Sequence, residues 1–62
     1  MQVNTLQEFV QAAKQCKCSN EIYELFEHNT TEDVREAVYA HAAADSAEPF
    51  RSAMHALGIS SY

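Results

Sequence analysis

The sequence predicts an all-α fold, a single domain of four short helices. Three observations carry that prediction. One Gly, one Pro and many Ala, Glu and Gln favour helix over strand. Four segments each open on a capping residue and continue with apolar residues at helical spacing. No segment alternates polar and apolar residues as a half-buried strand does.

The first helix is expected to begin after Asn4 or Thr5. Thr5 with Glu8 fits a capping box, in which each side chain satisfies a free backbone N–H of the first turn. Leu6, Phe9, Val10, Ala13 and Cys16 follow on one face, and the helix should end near Cys16–Cys18. The second is expected to use Ser19 or Asn20 as N-cap. Ile22, Leu25 and Phe26 form its apolar face, with Glu21, Glu24 and Glu27 opposite. His28 suits its last turn, and Asn29 can take the left-handed position beyond it.

The third helix is expected to be capped by Thr30, with Asp33 closing a capping box and Glu32 adding charge at the positive dipole end. Val34, Ala37, Val38 and His41 line its inner face, where His41 reads as a core-edge histidine bonded to a carbonyl. Its outer face carries Tyr39, Ala40 and Ala43 beside Glu36, and is unusually apolar for a solvated face. The fourth helix follows a break at 45–48, with Pro49 in its first turn. Phe50, Ala53, Met54 and Leu57 face inward. Gly58 then suits the C′ position, and Ile59 can pack back on Met54 in a Schellman ending. Phe9, Val10, Phe26, Val38, Phe50, Met54 and Leu57 should share one core.

Size and composition narrow the function. The chain has 62 residues, and ten of its 29 apolar residues are Ala. A core this small leaves the fold marginal and gives little scaffold for a catalytic cleft. The expectation is therefore a protein that is not an enzyme. No apolar run is long enough for a membrane span, and the first residues do not read as a secretory signal. The expected compartment is the cytoplasm, with both thiols reduced.

Cys16-Lys17-Cys18 is a weak match to zinc spacing, which normally sets two or more residues between paired cysteines, and no second pair follows. Cys16 reads as a small core hydrophobe. His41 and Asp45 have i, i+4 spacing, which reads as a helix-stabilising contact, since no nucleophile signature accompanies it. His55 reads as solvated. No cofactor or metal is expected.

The net charge is concentrated in one stretch. Glu21, Glu24, Glu27, Glu32, Asp33 and Glu36 against Arg35 give −5, the net charge of the whole chain. Glu32, Asp33 and Glu36 would repel phosphates if the second and third helices were read as a helix-turn-helix, so direct nucleic-acid binding is not expected. The same charge suits docking to a basic protein surface. Tyr23 flanks the glutamate stripe and Tyr39 lies beside Glu36, and an aromatic beside carboxylates makes an anchor for Arg. The expected partner-binding residues are thus Glu21, Tyr23, Glu24, Glu27, Glu32, Asp33, Glu36, Tyr39 and Ala43.

The function so read is a small acidic protein-binding module that inhibits or regulates a larger basic partner, such as a nucleic-acid-handling protein. Size and charge match small inhibitors encoded by phages or other mobile elements, an analogy that rests on no motif. Two alternatives belong to other classes. One is a homodimeric structural module joined through Tyr39, Ala40 and Ala43. The other is a metal- or redox-responsive regulator using Cys16 and Cys18.

Overall fold

The computed structural model describes residues 2–59, which form four helices and no strand. These are α1 (Leu6–Gln15), α2 (Ser19–Asn29), α3 (Glu32–Tyr39) and α4 (Pro49–Ala56). The protein is all-α, and no helix is long and apolar enough to cross a membrane. Helix α3 packs on α1 and α4, and α1 also packs on α2. The radius of gyration is 10.4 Å, against about 10.6 Å for a compact domain of this length.

Helix α1 starts as its sequence requires. Thr5 Oγ1 accepts the Glu8 N–H at 3.1 Å, and Glu8 Oε1 accepts the Asn4 N–H at 3.0 Å. Glu8 thus reaches one residue further back than in a standard capping box. Phe9 and Ala13 are fully buried, whereas Val10 is only half-buried. Val10 therefore lies at the margin of the core rather than within it.

Helix α2 differs from expectation at both ends. Neither Ser19 nor Asn20 is its N-cap; Cys18 holds that position and makes no side-chain capping bond. Glu21 Oε1 instead accepts the Lys17 N–H at 2.8 Å, satisfying a donor just outside the helix. At the other end Asn29 remains helical, and among the described residues only Gly58 has positive φ. The chain leaves α2 through an extended Thr30.

Thr31, not Thr30, caps α3: its Oγ1 accepts the Val34 N–H at 3.3 Å. The position three residues after the cap is then Val34, so Asp33 closes no capping box. Thr30 has a different task. It is 6% exposed, its hydroxyl donates to the Phe26 carbonyl, and it pairs with Val3 in an isolated parallel bridge. Val3 donates to the Asn29 carbonyl at 2.6 Å and accepts from Thr31 N–H at 3.4 Å. Val3 is itself 2% exposed, so the segment before α1 is part of the core.

Helix α3 ends at Tyr39, earlier than the apolar pattern implies, and the chain turns through 40–48. His41 is consequently exposed rather than at the core edge, and His41 and Asp45 form no ion pair. Ala42 turns inward and packs against the core instead. The turn is fastened to α4 by the Ala43 N–H, which donates to Ser52 Oγ at 2.8 Å.

Helix α4 has Glu48 as N-cap residue and Pro49 in its first turn. Its end is a Schellman motif. Gly58 has φ +78°, Ile59 N–H donates to the Met54 carbonyl at 2.9 Å, and Gly58 N–H to the His55 carbonyl at 3.1 Å. Ile59 is 1% exposed and closes the core beside Met54. Phe9, Phe26, Val38, Phe50 and Met54 share that core, with Ile22, Leu25, Val34 and Ala53, and Leu57 packs at its edge.

Candidate interaction surface

The aromatic residues form one connected group that runs from the core to the surface. Phe9 lies edge-on to Phe26, with ring centroids 5.9 Å apart. Phe26 meets Phe50 at 4.8 Å. Tyr23 then packs edge-on against Phe50 at 5.6 Å, and Tyr39 packs against both Phe26 at 5.5 Å and Phe50 at 6.4 Å. Such edge-to-face pairs contribute about 0.5–1.5 kcal/mol each beyond simple burial.

Tyr23 and Tyr39 are the two large apolar side chains most open to solvent among the described residues, at 46% and 44% exposure. Their positions follow from helix geometry. In α2, Tyr23 is about 60° around the axis from Phe26, at the border of the buried face. In α3, Tyr39 is about 100° from buried Val38, again at a border. Packing α2 and α3 beside α4 turns both borders onto Phe50, which is 9% exposed and forms the platform between them. In sequence the two tyrosines belong to separate features and Phe50 only to the core. No spacing within one helix could have brought the three together, because the relationship crosses three helices.

Acidic side chains rim this surface. Around α2, Glu27 lies about 40° and Glu24 about 100° from Tyr23, on its solvent side. Around α3, Glu32 lies about 20° and Glu36 about 60° from Tyr39. All four are exposed, as are Glu21 and Asp33. Glu21 lies roughly 160° from Tyr23, remote from the patch, and its carboxylate already serves the Lys17 N–H. Glu24 pairs with His28 at 3.3 Å in an exposed contact, of a kind that contributes little. Glu32 and Asp33 occupy the first turn of α3, where they also complement the helix dipole. Arg35, the one base in this run, directs Nη1 to the Thr30 carbonyl at 2.8 Å. It makes no ion pair with the neighbouring acids.

Ala43 does not extend an apolar outer face of α3, because the helix has ended. With Tyr39, Ala42 and Ala44 it lines one wall of an open groove of about 560 Å³. Pro49, Phe50 and Arg51, from the start of α4, line the other. A second open groove of about 550 Å³ runs along α1 beside Gln7, Gln11 and Gln15. It has no aromatic lining.

Cys16 is half-buried, and its thiol donates to the Ala12 carbonyl at 3.5 Å. Burial pushes its pKa above the ordinary thiol value, and the electrostatic influence of Glu21 and then of Cys18 adds to that. This is the opposite of an activated thiol. Cys18 is exposed, and no three His, Cys, Asp or Glu side chains among the described residues are grouped to hold a metal ion. His55 is exposed on α4. Comparison of this chain with protein-family models, with curated proteins and with solved structures finds no match in any of the three.

Proposed function

We propose that this chain is a non-enzymatic protein-binding module that docks on, and so regulates or blocks, a larger protein with a basic surface. The observation that carries the reading is the pair Tyr23 and Tyr39. They are half-exposed, come from different helices, and rest on the same Phe50 platform. Aromatic anchors supported by a packed core lose little entropy on binding and dominate interface energies. The acidic rim supplies attraction to Lys and Arg and repels acidic surfaces. Nucleic-acid-handling proteins are a natural class of target, since their phosphate-binding grooves expose such cations.

The same charge argues against a second copy as the occupant. Two chains of net charge −5 meeting through these patches would bring Glu24, Glu27, Glu32 and Glu36 of each into one interface, where like charges cost free energy. The test is affinity capture from an extract of the source cells with three baits: the native chain, Tyr23→Ser/Tyr39→Ser, and Glu24→Lys/Glu27→Lys. The proposal expects a basic protein held by the native chain and lost from both variants. Retention by both variants, or sedimentation of the native chain as a dimer that the tyrosine variant dissolves, would refute it.

A further inference from the structure

We propose that the groove between Tyr39 and the start of α4 seats an arginine side chain of the partner, stacked beside Tyr39 and bonded to Glu48 in place of Arg51. The inference rests on the docking reading above and adds which cation the surface selects and where.

The groove is held in shape before any partner arrives. Ser52 Oγ accepts the Ala43 N–H at 2.8 Å, the Ser46 N–H donates to the Ala43 carbonyl at 3.2 Å, and Ser46 Oγ accepts the Glu48 N–H at 3.2 Å. Its Ala42–Ala44 wall is of small side chains, so an extended segment can approach closely. Tyr39, beside those alanines, and Phe50, across the groove, continue the aromatic patch into it.

The chemistry of the lining fits a guanidinium. A guanidinium already lines the groove: Arg51 is part of its wall, and its Nη1 lies 4.0 Å from Glu48 Oε2. That contact is at the limit of ion-pair distance, and both side chains are more than half exposed, at 55% and 73%. Such a pair contributes little, so a competing cation can take the carboxylate at small cost. An incoming arginine would offer Glu48 two parallel N–H donors and its flat face to Tyr39, a combination that the lysine ammonium lacks. Outside the lining itself, exposed Glu36 lies one turn before Tyr39, and exposed Asp45 lies in the chain between Ala44 and Ser46 of the groove wall, so the nearby charge is negative. Charge complementarity therefore favours a cationic segment over an acidic one or a second copy.

The experiment is a titration of the isotope-labelled full chain, followed by amide NMR at low salt, with two blocked tripeptides, Ala-Arg-Ala and Ala-Lys-Ala. The inference expects the largest shifts at Tyr39, Ala43, Ser46, Glu48 and Arg51. It also expects the arginine peptide to bind about threefold to fivefold more tightly than the lysine one, the scale of one exposed stacking contact on an aromatic ring. Glu48→Gln should abolish that preference. Arg51→Gln should tighten arginine binding, while Lys14→Gln, which removes the same charge elsewhere, should not. Shifts confined to Tyr23, Glu24 and Glu27 would overturn the groove assignment and leave the docking reading standing. So would equal binding of the two peptides, or tightening by both charge removals. Absence of any shift would also overturn the inference, while the capture experiment would still decide the docking reading separately.

Discussion

Val3 and Thr30 join the two ends of the first half of the chain through a single-residue parallel bridge, with both side chains buried. The bridge ties the segment before α1 to the α2–α3 junction, and so fixes how the acidic helix α2 meets α3. Val3→Ala should destabilise the protein by about 1.5–3 kcal/mol, from lost burial. Thr30→Val keeps the shape and removes the hydroxyl bond to the Phe26 carbonyl, and should cost roughly 1 kcal/mol. Chemical denaturation of the two variants checks both. An unmoved midpoint for Val3→Ala would mean that the N-terminal segment is not part of the core.

Phe26 touches Phe9, Tyr39 and Phe50, so it is central to the aromatic group. Phe26→Ala should cost roughly 3–5 kcal/mol, most of the stability of a domain this small. The same change should also loosen Tyr39. Loss of the cooperative thermal transition is the expected result, read by circular dichroism.

The two threonines between α2 and α3 have separable roles. Thr31→Ala removes the α3 cap and should cost about 1 kcal/mol, whereas Asp33→Ala removes only a dipole interaction and should cost about 0.3–1 kcal/mol. A large loss for Asp33→Ala with none for Thr31→Ala would restore a capping box of Thr30 and Asp33, contrary to the geometry seen.

Much of the fold was legible because its signals are local. Thr5 with Glu8, Pro49 after a polar break, and Gly58 followed by Ile59 each mark a helix end by backbone chemistry alone, and each marks it correctly. The failures have physical reasons. Thr30 and Thr31 are equally good caps in sequence; the bridge to Val3, a non-local contact, decides between them. His41 continues the apolar period of α3, but the chain turns after Tyr39 so that Ala42 can pack inward and Ala43 can reach Ser52. The candidate surface was legible as parts, Tyr23, Tyr39 and the acids. Its assembly on Phe50 depends on how three helices pack, which no spacing records.

The cysteines should differ in reactivity. Cys18 is exposed, while burial and nearby negative charge raise the pKa of Cys16. A thiol reagent should therefore modify Cys18 first and Cys16 slowly, as mass spectrometry of the two peptides would show. The linkage sign follows from the raised value. As pH rises past the ordinary thiol value of 9.0, the unfolded chain loses its Cys16 proton before the folded one does. Any stability this thiol contributes is present below that pH and is lost as pH rises through the folded pKa. Cys16→Ala should flatten that part of the stability profile.

The proposed interface joins Tyr23 and Tyr39 in one face that meets a basic partner. Site-specific photocrosslinking in the source cells tests it most directly, with the photoreactive residue placed at position 23, at position 39, or at position 11 on the exposed side of α1. Positions 23 and 39 should crosslink to the same basic protein, position 11 should not, and raised salt in extracts should weaken the first two crosslinks. A crosslink through position 11 alone, or crosslinks at 23 and 39 only to other copies of this chain, would contradict it.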